Sequence, residues 1–177
     1  GNELGDASRP SRHVRLPKVS TCAKMRNVKI ALVRAPEEDK PIVRRLLELN
    51  AYDFSEIDGR DLGSHGEYGY RYLDHSWRPL EKRSPFIIRV DDKLAGCILV
   101  HAGDPHRFSE FFVLRKYRRM GVGTISARRV FAMFPGRWQV EQVVGNGPAV
   151  AFWRRAIPFE FIETIDDAGT RQTFHVR

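Results

Sequence analysis

The sequence has very little cysteine and no long apolar run. Its 177 residues include two cysteines, Cys22 and Cys97. Cys97 lies in an apolar segment, where a buried thiol packs as a small hydrophobe. Two cysteines allow at most one disulfide, so the sequence does not resemble a small secreted protein held together by several disulfides. No run of about 18 apolar residues is present, and no apolar signal core follows the basic N-terminal residues. We therefore expect a soluble, cytoplasmic protein without a membrane span.

Several signatures of catalysis and metal binding are also missing. The sequence has no Gly-x-x-x-x-Gly-Lys-Ser/Thr loop, no Gly-x-Ser-x-Gly elbow and no paired-cysteine motif. His101, Asp104 and His106 share one loop, but no further ligand stands beside them, so a polar turn explains them better than a metal site. We expect no metal.

Acidic residues are fewer than basic ones, 22 against 30, and the formal net charge is +8. Residues 1–27 hold six basic and two acidic side chains, and they show neither helical nor strand periodicity. We therefore interpret 1–27 as a flexible basic leader and 28–177 as a single domain. The other basic clusters, at 115–119, 128–129 and 154–155, suit a small polyanionic ligand as well as they suit nucleic acid.

The pattern along 28–177 predicts an α/β protein with the order β-α-α-β-β-β-α-β-α-β-β. Antiparallel hairpins flank a central β-α-β unit, which indicates a mixed, largely antiparallel sheet of six to seven strands with helices on both faces. The first helix follows Pro36, the chain from Asp53 to Gly69 is expected to be a polar loop, and a second short helix follows it. The predicted strands are residues 28–33, 86–90, 94–100, 107–114, 137–144, 159–165 and 170–176.

The segment 111–124 carries the clearest chemical signal. An apolar strand ends, a basic turn with Gly121 and Gly123 follows, and a helix begins. Such a turn directs several peptide N–H groups toward one point at the positive end of the helix dipole, and glycine lets a phosphate approach the main chain. A dinucleotide fold fits less well, because Ser126 stands where its third glycine belongs.

At this point the sequence resembles the GNAT-type N-acetyltransferases. Arg118-Arg-Met-Gly121-Val-Gly123 is similar to the family's Gln/Arg-x-x-Gly-x-Gly/Ala signature. Asn146-Gly-Pro-Ala149-Val-Ala-Phe152-Trp153 is similar to its Asn-x-x-Ala-x-x-Φ-Tyr helix. The resemblance covers about residue 28 to the C-terminus and implies a GNAT-like fold whose central β-α-β unit binds coenzyme A.

The resemblance also implies a set of cofactor-binding residues. Peptide N–H groups of the turn hold the pyrophosphate, main-chain groups of the preceding strand meet the pantetheine arm, and the strands 107–114 and 137–144 splay apart beside it. Position 153 is Trp where the family commonly has the Tyr that protonates the leaving thiolate, and an indole cannot supply that proton. The implied residues are Val113, Leu114, Arg118, Arg119, Met120, Gly121, Val122, Gly123, Thr124, Asn146 and Trp153.

The implied reaction is transfer of an acetyl group from acetyl-CoA, or of another short acyl group, to a primary amine. Glu110 is the first candidate for the general base and Glu141 the second. Tyr52, Tyr68 and Tyr72, with Tyr70 and Trp77 close by, are candidates for binding a small-molecule or peptide amine. The resemblance also allows a homodimer.

Two other functions stay open at this point. Trp153 allows a non-catalytic acyl-CoA sensor, and the charge allows a basic nucleic-acid-binding protein, which is the less favoured of the two.

Overall fold

The computed structural model describes residues 28–78 and 82–177, which form a seven-stranded mixed sheet with helices on both faces. The predicted leader and Cys22 lie outside the described residues. The elements are β1 (Ile30–Arg34), α1 (Lys40–Asp58), β2 (Arg83–Val90), β3 (Lys93–His101), β4 (His106–Val113), α2 (Val122–Met133), β5 (Gly136–Val143), α3 (Gly147–Ala156), β6 (Phe161–Asp166) and β7 (Gly169–Val176). Short 3-10 turns cover Glu37–Asp39, Leu73–Trp77 and Arg115–Tyr117.

The sheet order is β1-β2-β3-β4-β5-β7-β6, and the β4–β5 pair is the one parallel contact between neighbours in the described sheet. The crossover through α2 places β5 parallel to β4, as expected of a β-α-β unit. The predicted mixed, largely antiparallel sheet is confirmed. β1–β4 thus form one antiparallel half of the sheet, and β5–β7 form the other.

Two apolar layers cover the sheet. Strand residues alternate between them: Ile88 and Ile98 pack with α2 and α3, while Ile87 and Leu99 pack with α1. Cys97 is fully buried in the α1 layer, as predicted. The α2–α3 layer is rich in aromatic rings, which stack or meet edge to face within one cluster: Phe108, Phe111, Phe131, Trp138, Phe152, Trp153, Phe159 and Phe174.

The predicted loop beginning at Asp53 is wrong for its first six residues, because α1 continues to Asp58. After Pro41 in the first turn of α1, the next glycine or proline is Gly59, which adopts a left-handed conformation (φ 68°) and ends the helix. The predicted second helix is reduced to the 3-10 turn Leu73–Trp77. This longer α1 places its last two turns beside the open end of β4.

The aromatic cluster should carry much of the stability. Phe131 is 1% exposed, with its ring 5.0 Å from the Trp138 ring and 5.1 Å from the Phe174 ring, between centroids. Phe131→Ala should therefore lower the free energy of unfolding by about 3–5 kcal/mol, measured by denaturant titration. Ile162→Ala is the control, because Ile162 is 75% exposed and its loss should change stability by less than about 0.5 kcal/mol. Equal losses in the two variants would contradict this assignment of the core.

Candidate active site

The central strands β4 and β5 separate almost as soon as they meet. Their pairing is limited to His106 with Trp138 and Arg107 with Gln139. Beyond Arg107, β4 keeps its bonds to β3, and β5 keeps its bonds to β7. The prediction that these two strands splay apart is confirmed. The gap exposes the facing edges of both strands in the middle of the sheet.

A cavity of about 330 Å³ opens at this gap. It is bounded by α1, by the chain leading from Arg60 to Tyr70, by both strands and by the start of α3. Polar and aromatic groups dominate its wall. The wall includes the side chains of Glu48, Asn50, Phe54, Arg60, Tyr70, Phe108, Glu110, Phe111, Glu141, Gln142, Asn146 and Trp153.

Glu110 lies in this wall with its carboxylate directed toward α1. Asn50 donates its side-chain amide to Glu110 Oε2 at 2.7 Å, and the Tyr70 hydroxyl lies against the same carboxylate. Burial raises the pKa of Glu110 to about 7, although Tyr70, Arg60 and Asn50 each lower it. Burial, with the nearby Glu110 charge, also raises the pKa of the Tyr70 phenol. Near neutral pH, Glu110 can therefore both take up and release a proton.

Glu141 lines the same cavity from β5, in a more exposed position. Its Oε1 accepts a hydrogen bond from Arg171 Nε at 3.0 Å and another from the Gln139 side chain. Its side chain is 52% exposed. The structure thus brings both predicted carboxylates to one cavity, but only Glu110 is buried there.

The turn between β4 and α2 presents a row of open peptide N–H groups. The Arg118 N–H donates to Arg115 O, and the Ile125 N–H donates to Gly121 O. Between them, the N–H groups of residues 119–124 have no acceptor within residues 28–78 and 82–177. Those of Val122, Gly123 and Thr124 belong to the first turn of α2, where the helix dipole is positive. This arrangement suits an anion with several oxygens.

The two glycines of the turn have different physical roles. Gly121 has φ 78°, and a Cβ added to it would meet only Ile125 Cδ1, at 3.9 Å. A Cβ on Gly123 would instead lie 3.1 Å from the Phe152 ring. Gly123 therefore allows the close packing of α2 against α3, independently of any ligand at the turn. Gly121 is needed because its backbone is left-handed.

The main chain before this turn is already partly occupied. The Leu114 N–H donates to Ala95 O, and Leu114 O accepts from the Tyr117 N–H, so Leu114 does not offer the free main-chain group expected for a pantetheine arm. The cause is the alternation of strand bonding, which turns Leu114 toward β3 and Val113 toward the gap. Val113 O accepts from Arg118 Nε at 2.7 Å.

Asp53 ties the end of α1 to the basic turn. Arg115 Nε donates to Asp53 Oδ1 at 2.9 Å, and Arg118 Nη2 donates to Asp53 Oδ2. Burial alone would raise the pKa of Asp53, but the bonds from Arg118 and Arg115 outweigh it, and the pKa is lowered. The guanidinium groups of Arg115 and Arg118 are therefore engaged in ion pairs within the protein. The positive charge that remains toward a ligand at this turn comes from its peptide groups and from Arg119.

Asn146 and Trp153 connect α3 to the cavity. Asn146 caps the helix by accepting from the Ala149 N–H at 3.2 Å, and it lines the cavity. Trp153 is 5% exposed and stacks on Phe108, with 5.1 Å between centroids. Its indole N–H has no acceptor among the described residues. Trp153 therefore packs in the wall of the cavity, and its indole N–H stays available as a hydrogen-bond donor.

The predicted tyrosines are not brought into the cavity. Tyr52 and Tyr72 are 63% and 52% exposed, and the cavity wall includes neither of them nor Tyr68. Tyr70 takes that place, because the chain returning from Gly69 carries it over Glu110. In the described part of the chain, no group of His, Cys, Asp and Glu could hold a metal, and no helix is long and apolar enough to cross a membrane.

The sequence does not single out several residues of the wall, among them the polar residues Asn50, Arg60 and Gln142. Two of them carry a signal that could have found them. Asn50 continues the apolar stripe of Val43 and Leu47 on α1, and Gln142 continues the inward positions of Trp138 and Val140 on β5. A polar side chain at a core position needs a partner, and the cavity is what lies there.

The comparisons with known proteins agree with this geometry. The sequence profile of the Acetyltransferase (GNAT) family matches residues 49–157, more than half of the chain. The chain belongs to the GNAT acetyltransferase family. No curated protein matches the sequence. The family match spans β2 to α3 and therefore includes the basic turn, the gap between the strands and Glu110.

Solved GNAT structures share the fold at low sequence identity. An acetyltransferase from Thermus thermophilus superposes with a TM-score of 0.61 at 17% identity, over 83% of this chain and 97% of that one. Aminoglycoside acetyltransferase AAC(6')-Ib in complex with coenzyme A gives 0.58 at 14%, over 83% and 95%. The ribosomal-protein-S18-alanine N-acetyltransferase from Escherichia coli gives 0.53 at 13%, over 82% and 91%.

The tie through Asp53 can be tested by its pH dependence. Because its pKa is lowered in the fold, Asp53 stabilises the GNAT domain above the unfolded pKa of about 3.9, and this stability is lost as the pH falls toward the folded pKa. Asp53→Asn should lower the free energy of unfolding by about 1–3 kcal/mol at pH 7, with the difference shrinking below pH 4. Urea titrations of the wild type and Asp53→Asn at pH 7 and at pH 3 measure this difference in the free energy of unfolding.

Asp92→Asn is the control for this prediction. Asp92 pairs with Lys29 at 3.7 Å but is 80% exposed, so its loss should cost less than about 1 kcal/mol at either pH. A deficit in Asp53→Asn that is the same at pH 7 and at pH 3 would contradict the ionic role of Asp53.

Proposed function

We propose that this GNAT protein transfers an acetyl group from acetyl-CoA to the primary amine of a small molecule or peptide. The observation that carries the proposal is Glu110, a buried carboxylate with a pKa near 7 in the wall of the cavity where β4 and β5 separate. A buried acid tuned to neutral pH and facing an open cavity is typical of a general base.

The residues beside the gap fit a coenzyme A ester. The open N–H groups of 119–124 would hold its pyrophosphate, and each charge-assisted bond contributes about 1.5–3 kcal/mol. The facing edges of β4 and β5 leave main-chain groups, including the N–H of Val113, for the amides of the arm. Asn146 stands at the entrance to this gap from α3.

Glu110 supplies the base that the reaction needs. An amine is an ammonium ion at neutral pH and must lose a proton before its nitrogen can attack. Glu110 takes that proton, and the C–N bond then forms as the carbonyl π pair moves to oxygen. When that pair returns, the C–S bond breaks and its electrons leave with sulfur. The second nitrogen proton passes to the sulfur, so the products are the amide, the free thiol and protonated Glu110.

Trp153 is consistent with this route for the second proton. An indole N–H donates a hydrogen bond but does not release its proton, so Trp153 can stabilise the departing sulfur without protonating it. The substrate nitrogen, which must lose a proton in any case, is the source that the reaction already provides. Glu141 is held by Arg171 and stays a secondary candidate.

Replacement of Glu110 tests the base. The wild-type rate at saturating amine should rise with pH through about 7, because only ionised Glu110 accepts the proton. Glu110→Gln should lower kcat by about 10²–10⁴-fold and abolish that rise. Thiol release from acetyl-CoA, followed over a panel of amines between pH 5.5 and 9, measures both effects.

Asn50→Leu and Glu141→Gln are the comparison variants for this experiment. Asn50 donates to the Glu110 carboxylate, so its loss should raise the pKa of Glu110 and move the profile to higher pH without removing it. Glu141→Gln should leave the midpoint unchanged. A wild-type profile that Glu110→Gln retains in full would contradict the role of Glu110.

The pyrophosphate site has its own test. Gly121→Glu places a negative side chain at the open N–H groups and should weaken acetyl-CoA binding at least 100-fold in calorimetry. Gly66→Glu is the matched control, since Gly66 has φ 74° and open space around it, so it carries the same backbone strain far from the turn. Equal acetyl-CoA affinity in the two variants would rule out the site.

The same assays separate the proposal from a binding-only sensor. A sensor binds acetyl-CoA and loses that binding in Gly121→Glu, but it releases no thiol with any amine. Thiol release that depends on both an amine and Glu110 requires an enzyme.

A further inference from the structure

Gln142 is a buried polar side chain without a partner. It is 5% exposed, and neither its amide nitrogen nor its amide oxygen has a hydrogen-bond partner among the described residues. An orphaned buried amide destabilises a fold, so most native polar groups of this kind are satisfied. Gln142 also belongs to the wall of the cavity. A group that enters the cavity is therefore able to satisfy it.

The position of Gln142 along β5 specifies which part of a ligand it meets. Counted from the last paired residues, Arg107 and Gln139, Gln142 lies three positions along β5. Glu110 lies two pairing positions along β4, because a bulge at Ser109 removes that residue from the pairing with β3. Glu110 and Gln142 therefore lie one strand position apart on the two sides of the gap. The side chains of Glu110 and Gln142 point to opposite faces of the sheet. Phe112, two residues after Glu110 on the same face of β4, packs with α1. Val140, two residues before Gln142 on the same face of β5, packs with α2 and α3.

The geometry points to Gln142 as a hydrogen-bond donor to the carbonyl oxygen of the acyl group being transferred. This inference rests on the proposed function. The amine that Glu110 deprotonates must be in contact with the acyl carbon, which places the acyl carbonyl between Glu110 on β4 and Gln142, one strand position farther along, on β5. Both amide atoms of Gln142 are buried in the unliganded fold, so the side chain must rotate about one of its three bonds to turn the amide into the cavity that the residue lines.

The donated bond acts where charge develops. As the C–N bond forms, the carbonyl π pair moves onto oxygen, and the Gln142 N–H stabilises that oxygen until the pair returns and the C–S bond breaks. The proton of Gln142 stays on nitrogen throughout. Once ligand binding has turned the amide into the cavity, the donor is fixed and shielded from water, which makes such a bond effective when charge develops on oxygen.

Gln172 provides a matched comparison within the same sheet. It is also fully buried, and it lies on the neighbouring strand β7 opposite Val140. Its amide nitrogen donates to Glu163 Oε2 at 2.8 Å, and it is not part of the cavity wall. Gln172 therefore serves the fold, whereas the amide of Gln142 is unused until a ligand is bound.

Gln142→Met and Gln172→Met test the inference, because Met has nearly the shape of Gln and no amide. Without ligand, Gln142→Met should raise Tm by about 2–4 °C, since it removes an orphaned amide, and Gln172→Met should lower Tm. In Gln142→Met, kcat should fall by about 10²-fold or more, and calorimetry should show weaker binding of acetyl-CoA but unchanged binding of CoA, which lacks the acyl carbonyl. Gln172→Met should keep the wild-type kcat and both affinities.

Three results would overturn the assignment. The first is a lower Tm in Gln142→Met with wild-type kcat, which would place Gln142 in a structural network such as one around a buried water. The second is an equal loss of acetyl-CoA and CoA affinity, which would move its contact to the pantetheine arm. The third is a wild-type protein that binds acetyl-CoA and releases thiol while Gln142→Met does both equally well. A wild type that binds no acetyl-CoA rejects the proposed function itself.

Discussion

The separation of β4 from β5 is the constraint on which the rest of the site depends. Two parallel residue pairs hold the halves of the sheet together, and beyond Arg107 each strand bonds only to its outer neighbour. Strand edges in the middle of a sheet are stable only where something satisfies their polar groups. The protein does so partly from within, through Arg118 on Val113 O, and leaves the remainder to the cavity.

The helices on the two faces then give the two sides of this gap different chemistry. On one face, α1 brings Asn50 against Glu110 and, with Tyr70, excludes enough water to raise its pKa to about 7. On the other face, the layer beneath α2 and α3 is rich in aromatic rings. In the proposed reaction, proton transfer to the protein takes place on the α1 side, and the opposite wall contains the neutral side chains Gln142 and Trp153.

Sequence patterns predicted the elements well where local rules decide them. The seven strands, the glycine turn and the capped start of α3 follow from alternation, from Gly121 and from Asn146, all of which act within a few residues. The end of α1 was misjudged because the polar side chains after Asp53 resemble a loop. Asp53 in fact faces Arg115 and Arg118, more than 60 positions away, and no local pattern contains that contact.

The sequence also predicted one part of the candidate site better than the other. The motif residues on β4, α2 and α3 followed from the family resemblance, and Glu110 followed from its position on the strand before the turn. The residues expected to bind the amine were not predicted correctly, since three tyrosines remain outside the cavity while Tyr70, in the same segment, lines it. Side-chain direction in an irregular loop depends on tertiary packing, here on the Glu48 carboxylate, which holds the Tyr68 and Gly69 N–H groups at 2.7 Å each.

Trp153 connects the aromatic layer to the proton chemistry. Its ring stacks on Phe108 and meets Phe111 edge to face at 4.9 Å, so a large ring at this position completes the floor of the gap. A tyrosine would bring a hydroxyl that can give up a proton but less apolar surface for this layer. With an indole there, the floor itself contains no proton source. In the proposed reaction, the attacking nitrogen is therefore assigned as the proton donor to the sulfur, so the packing of the floor is linked to the choice of an amine that carries a proton it can release.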